Sequence, residues 1–478
     1  MPSSRALRHA LGVALLRVLV SLTCLYSGFR GVSDDDYSRV VIAARFAHHP
    51  SLDPSGTSWL PLPFWLYGVP MALFGDSLFV ARAVAVLLGA ASSVLVWLAA
   101  KVLGFSERAA LWGALAAVLL PYGAWLSAAT VPEAPTAALL LFGCVTLVRP
   151  EPRLRAWGGL AMAAACFCRY ESWAPALVFG LLTGLDAWRA RQRALGVAAA
   201  LAILPIALWL LHGVVRHGDA LFFVARVQQY RAALGGPGPG WFAALWRTPF
   251  SLVRFEPELF AVTAVALGLS LREGQSPFGP TAWRPLAALG ALVLFLMIAD
   301  GTGGSATHHP ERSLLPVFWF LSLMTAGLVA RFADEGERPW RLPALALPLA
   351  LAAGLLLRPD VRSTFGDRRE EEQVGEVLRR LGARNVALDT DDFGFFAVQA
   401  ALGDGKSRPL DDHDPRRKRA ARPRSSAELA ARLHEDGARW LVTTRERAGL
   451  ATSLGAVSMT TPRLSVVKLE PGRLDPAR

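Results

Sequence analysis

Long apolar runs separated by short polar links dominate the chain. Uncharged stretches such as Ala109 to Pro132 are long enough to cross a hydrocarbon core of roughly 30 Å. The pattern predicts about eleven crossings: Leu11–Phe29, Ser77–Ala100, Ala109–Ala128, Ala134–Val148, Ala156–Cys168, Ser172–Leu185, Ala194–Leu211, Leu259–Leu271, Pro285–Ala299, Ser313–Ala330 and Leu342–Leu357. Arg17 sits inside the first run, which is long and lacks a small-residue cleavage site, so it reads as a helix and not as a signal peptide. Between Leu11–Phe29 and Ser77, Tyr37–Ala47 carries apolar residues at helical spacing, and Trp59–Phe74 is aromatic and broken by proline. Both read as helices lying along the interface.

The basic residues orient this arrangement. Lys101/Arg108, Arg149/Arg153/Arg155, Arg189/Arg191/Arg193 and Arg331/Arg338/Arg341 fall on the side of the N-terminus, which is therefore read as cytoplasmic. The stretch Ala156–Leu185 is taken as two crossings broken at Arg169-Tyr170-Glu171 and not as one tilted helix, because two crossings keep the basic segment Asp186–Arg193 inside and the charged break at the surface. The outer face then receives Arg30–Asp76, Thr130–Glu133, Arg169–Glu171, Val214–Glu258 and Asp300–Arg312, and with them nearly every unusual polar residue.

After Leu357 the composition turns charged and soluble. Glu370–Leu381 and Ser426–Glu435 read as helices, and Asn385–Asp389, Arg439–Thr443 and Leu464–Leu469 as strands. The expected organisation is a transmembrane core over 1–357 and a small α/β domain over 358–478, extracytoplasmic after an odd number of crossings. The overall class is a multi-pass α-helical membrane protein with a small C-terminal α/β domain.

Composition narrows the function. The 478 residues are 53% hydrophobic with a net charge of +12; the excess Arg and Lys lie in the links and the C-terminal part, where anionic headgroups explain them better than nucleic acid does. Cys24, Cys144, Cys166 and Cys168 lie in apolar runs, which indicates neither disulfides nor a zinc site. There is no dinucleotide fingerprint, P-loop, nucleophile elbow or HExxH pattern. What stands out is Asp34-Asp35-Asp36-Tyr37 directly after the first run: carboxylates at a membrane surface are placed to meet a polar group carried by a lipid.

In layout the chain resembles the GT-C class of integral-membrane glycosyltransferases, especially the branch of protein O-mannosyltransferases and lipid A aminoarabinose transferases. The resemblance rests on the Asp34–Tyr37 loop, Arg45/His48/His49-Pro50, Trp59-Leu60-Pro61-Leu62-Pro63, Gly75-Asp76-Ser77, Pro132-Glu133 and His308-His309-Pro310-Glu311-Arg312-Ser313-Leu314-Leu315-Pro316. It implies inverting transfer of a sugar from a polyprenyl-phosphate donor to a lipid, glycan or protein acceptor at the outer face of a bacterial inner membrane. A carboxylate takes the acceptor's proton and cations stabilise the departing phosphate. Asp34 and Asp35 are both candidates for the base, with Asp36 and Tyr37 supporting; capping of the helix that follows is the structural alternative. Glu133 is a third catalytic candidate, or a first-turn glutamate after Pro132. Arg169, His309 and Arg312 are candidate phosphate ligands, with Glu171 and Glu311 supporting them, or members of structural ion pairs. The sequence assigns no certain cofactor. A divalent cation held by the acidic loop with His48 and His49 is a weaker reading, since adjacent histidines supply no matching third ligand. Asp389-Thr390-Asp391-Asp392 reads as an acidic strand-to-helix turn. A glycan polymerase or ligase of the O-antigen type would share the carrier lipid but rely on Arg and His in a late loop. A transporter would carry paired half-repeats and mid-membrane charges.

Overall fold

The computed structural model describes residues 4–234, 240–272, 281–302, 309–334, 341–357, 366–403, 405–416 and 422–474. His308, residues 235–239, Arg338 and the basic residues Arg417, Lys418 and Arg419 lie outside them. By packing, the chain divides into two units: 1–29, 56–63 and 85–361 form one, and 30–55, 64–84 and 362–478 the other. The sequence boundary after Leu357 marks a change of composition, whereas packing also groups first-loop segments with the C-terminal part.

Helices α1 (Ser4–Tyr26), α2 (Asp34–His48), α3 (Leu62–Phe74) and α4 (Leu78–Val102) open the chain. There follow α5 (Glu107–Leu119), α6 (Pro121–Ala128), α7 (Glu133–Thr146), α8 (Pro152–Cys166), α9 (Trp173–Ala190), α10 (Arg193–His217), α11 (Phe222–Ala233), α12 (Gly240–Phe255), α13 (Pro257–Arg272), α14 (Trp283–Gly301), α15 (Pro310–Ser313), α16 (Leu315–Asp334) and α17 (Arg341–Leu357). Among the described residues α1, α4, α10 and α14 are long and apolar enough to cross a membrane, and the bent pair α5–α6 makes a fifth. The protein is a multi-pass membrane protein. Several of the other expected crossings fall on shorter helices, such as the 14-residue α7, because apolar content continues through prolines, glycines and charged turns that end the hydrogen-bonded helix.

Local chemistry explains two of these breaks. Pro121 has no N–H, so the carbonyl of Ala117 loses its helical partner and the chain bends by 72° between α5 and α6. Arg17, the charge inside α1, donates to that carbonyl at 3.3 Å, to Ser93 Oγ at 2.9 Å and to Gly123 O at 3.5 Å. A buried cation thus stands in for the missing N–H at the Ala117 carbonyl. The second break, at residues 167–172, turns the chain back on itself: Arg155 at the start of α8 donates to Thr183 Oγ1 (2.9 Å) and Asp186 (3.1 Å) near the end of α9. α8 and α9 are therefore antiparallel, as two crossings require. Arg284 closes the far end with a bidentate contact to Asp186 at 2.6 and 2.9 Å.

α8, α9 and α10 pack together, with α7 against α8. The approach of α8 to α10 needs glycine, since a Cβ on Gly159 would lie 2.4 Å from the carbonyl of Ala198. Gly159→Val is expected to cost about 1–3 kcal/mol through overpacking. It should lower the thermal midpoint of the detergent-solubilised protein well below that of Gly196→Val, whose added Cβ meets nothing within 4 Å. Equal midpoints would show that the helices can move apart freely.

In the second unit, a five-stranded sheet has the order β2-β1-β3-β5-β4, built from β1 (Val386–Asp389), β2 (Ser407–Pro409), β3 (Trp440–Thr444), β4 (Gly455–Thr460) and β5 (Leu464–Leu469). β1 pairs in parallel with β2 and β3, and β5 is antiparallel to β3 and β4. Alternating side chains feed two cores. Val386, Leu388, Val442 and Val466 meet α18 (Arg369–Arg380) and α19 (Phe395–Leu402) on one face; Ala387, Leu441 and Val467 meet α20 (Ser426–Glu435) on the other. α19 also packs on α2, within the same unit.

Candidate active site

The three adjacent aspartates of α2 take three different environments. Asp36 is buried, and its Oδ2 accepts the backbone N–H groups of Val32 (2.9 Å) and Ser33 (3.2 Å). For this residue the capping alternative is the correct one. Asp34 is held by a bidentate guanidinium: Arg368 Nε donates to Oδ1 at 2.8 Å and Nη2 to Oδ2 at 3.0 Å, a geometry that fits Arg and not Lys. Asp35 is exposed, and among the described residues its carboxylate has no ion pair or hydrogen bond. Tyr37 is buried and donates through its hydroxyl to Glu372 Oε1 at 2.6 Å. Burial, with Glu372 beside it, pushes the phenol well above its usual range. Glu372 also meets Arg82, whose Nη1 donates to Oε2 at 3.1 Å.

Arg368 continues the network. Its Nη1 lies 3.1 Å from Glu371 Oε1 and 2.9 Å from Asp392 Oδ2. Burial pushes the Glu371 carboxyl up. Asp392 lies below the usual carboxylate range despite its partial burial, because the Gly394 N–H and Arg368 favour its charge.

The other expected residues form a second cluster, in the first unit. Glu133, the first residue of α7, has a side chain only 2% exposed; Arg169 Nη1 lies 2.7 Å from its Oε1 and Arg312 Nη1 at 3.9 Å. Arg169 is engaged on all three nitrogens, by Glu133, by Glu171 through Nε, and by Ser313 Oγ at 3.2 Å. Ser313 in turn donates to Glu171 at 2.6 Å. Glu311 receives Tyr122 Oη at 3.3 Å and lies 2.9 Å from His309 Nδ1. Three carboxylates thus face two guanidiniums and an imidazole. Asp34–Tyr37 and Glu133–Arg169–Arg312 belong to different units.

The weaker reading, in which His48 and His49 join the acidic loop around a cation, does not fit the geometry. They lie at the opposite end of the 15-residue α2, about 20 Å away at 1.5 Å per residue, and His48 faces Asp76 at 3.4 Å. The Asp389–Asp392 turn is structural: Asp389 accepts from Arg447 Nε at 2.8 Å, Asp391 pairs with Arg422, and Asp392 accepts the Gly394 N–H at 2.8 Å.

A sequence model described as dolichyl-phosphate-mannose-protein mannosyltransferase matches residues 48–212, a segment that contains Glu133, Arg169 and Glu171. No curated protein sequence matches the chain. In structure, the chain is similar to ArnT from Cupriavidus metallidurans bound to undecaprenyl phosphate, with TM-score 0.61 and 15% identity over 98% of each chain. The apo form of that protein gives 0.58 and 15%, over 97% of this chain and 99% of that one. The fold is that of a GT-C glycosyltransferase. The likeness covers the C-terminal α/β part as well as the helices, and bears out the resemblance drawn from the layout of the chain.

Within the GT-C fold, sequence reading missed Arg368, Glu372, Tyr122 and Arg82. The only sequence signal for the first two was a charged start, Arg368 to Glu372, on a helix of the soluble part. Ser313, noted only as a neighbour of Arg312, joins Arg169 to Glu171. Beside Arg169, Tyr170 stacks on Phe223 at 4.2 Å and accepts from Trp209 Nε1 at 2.9 Å, which pins the break between α8 and α9.

Proposed function

We propose that the protein transfers a sugar from a polyprenyl-phosphate donor to an envelope lipid, glycan or protein, at the extracytoplasmic face of the inner membrane and with inversion, with Asp35 as the base. The observation that carries this reading is the division of labour in the first loop: Asp36 caps, Asp34 is neutralised by Arg368, and Asp35 keeps an open carboxylate. The carrier class is supported by the undecaprenyl phosphate bound to ArnT.

In this reaction Asp35 removes the acceptor's proton as the acceptor oxygen or nitrogen attacks the anomeric carbon. The carbon–oxygen bond to the phosphate breaks, and its electron pair goes to the phosphate oxygen. A phosphate leaves without a strong general acid, so the chain needs cations for it. Arg312 is assigned to that phosphate, with His309 beside it. Arg169 is a positioning residue, since its nitrogens are already committed to Glu133, Glu171 and Ser313. Glu133 holds both guanidiniums in place. Eleven crossings, with the N-terminus in the cytoplasm and residues 358–478 outside it, complete the proposal.

The test is mass profiling of envelope glycolipids and glycoproteins from a strain lacking the protein. One sugar modification should disappear and return with the wild-type gene. An unchanged profile would remove the transferase reading.

A further inference from the structure

We propose that the C-terminal α/β part is a clamp for the acidic loop and that Arg368 is its positioning residue, acting through Asp34 to present Asp35. This inference rests on the transferase reading above.

The segment from Gly31 to Tyr37 leads into α2 from the irregular link that follows α1. Three sets of contacts fix it. Asp36 ties the turn to its own backbone. The other two come from the start of α18, more than 300 residues later in the chain: Arg368 grips Asp34 at 2.8 and 3.0 Å, and Glu372 accepts from Tyr37 at 2.6 Å. Arg82, also on Glu372, donates to the carbonyl of Arg30 at 3.2 Å, so the entry to the turn is held by the same hub. Arg368 is itself over-determined, because Glu371 and Asp392 fix the guanidinium from the far side and leave it one orientation towards Asp34.

Two consequences follow for Asp35. It lies between two residues whose side chains are immobilised, so its backbone position is set by the C-terminal part. The charge of Asp34 is also discharged by a bidentate partner, which relieves the repulsion between adjacent carboxylates and leaves the only open negative charge of the turn on Asp35. Without Arg368 two carboxylates would compete for one role.

The experiment uses the full-length protein with Arg368→Gln, Arg368→Lys, Asp34→Asn and the double variant Asp34→Asn/Arg368→Gln. Envelope product is measured in the complemented deletion strain at matched expression, and amide hydrogen exchange over residues 31–38 on purified protein. Arg368→Gln should cut product at least tenfold and speed exchange at 31–38 at least tenfold, while exchange in β3 and β5 stays unchanged. Arg368→Lys should recover only part of the loss, since a point charge cannot grip both oxygens. The double variant should lose no more than Arg368→Gln alone, because the two residues act as one unit. Product within twofold of wild type in Arg368→Gln, multiplying losses in the double variant, or unaltered exchange at 31–38 would each overturn the clamp. If Arg368→Gln does not fold, Asp34→Asn and Tyr37→Phe loosen the same turn from its other side and decide by the same exchange criterion. If the deletion strain lacks no sugar, the transferase reading falls while the exchange data still decide the clamp; if Asp35→Asn is inactive and Arg368→Gln is not, the clamp falls and the base stands.

Discussion

Asp35→Asn is expected to reduce sugar transfer by roughly 10²–10⁴-fold, the range for loss of a positioned general base, with no change in expression or fold. The carboxylate is exposed and makes no hydrogen bond or ion pair among the described residues, so the amide leaves no buried group unsatisfied. The helix loses only a first-turn charge, about 0.3–1 kcal/mol. Asp34→Asn should be milder, because an amide still offers one acceptor to Arg368. Asp36→Asn should act mainly on stability, since Asp36 satisfies two backbone N–H groups inside the protein. The order of the three, measured as envelope product at equal expression, separates base from clamp from cap. Full product from Asp35→Asn would reduce the residue to a helix-start charge.

Arg312→Ala is expected to reduce transfer by about 10²–10³-fold, the usual loss when a pre-oriented group that stabilises developing negative charge is removed. It should also weaken binding of undecaprenyl phosphate to the purified protein by at least tenfold. The residue is 7% exposed and its Nη1 lies 3.9 Å from the buried Glu133, so truncation strips part of the charge around a desolvated carboxylate. Arg312→Lys therefore serves as a second variant: it keeps the charge and the fold, and should retain an intermediate affinity. Arg169→Lys should behave differently, with loss of stability exceeding loss of binding, because Arg169 bridges Glu133, Glu171 and Ser313. Equal undecaprenyl phosphate affinity in Arg312→Ala and wild type would move the phosphate elsewhere.

Much of this was legible in the chain. Long apolar runs placed α1, α4, α10 and α14, and the change of composition after Leu357 marked the α/β part. Ser426–Glu435 and Leu464–Leu469 agree with the observed α20 and β5 to the residue, since period and propensity are local properties. The strands β2 and β4 and the helix α19 escaped, because β2 has three residues and is fixed by its neighbour, and Phe395–Leu402 is apolar except for Gln399 and carries no clear period. Local sequence also predicted that the chain would break at Arg169-Tyr170-Glu171, although only the contact of Arg155 with Asp186 shows that it turns back.

The sequence by itself determined the residue types at the site and their surfaces: an acidic turn after the first helix, a glutamate opening α7, and an arginine at each of two helix breaks. Only the tertiary structure decided which aspartate is open. Asp34, Asp35 and Asp36 are chemically identical and adjacent, so no local rule separates them. What separates them is a guanidinium more than 300 residues away in the chain, a pair of backbone N–H groups, and solvent. Which partner a charge finds in a folded chain is a long-range property, and the free energy of a carboxylate depends on that partner far more than on its neighbours in sequence.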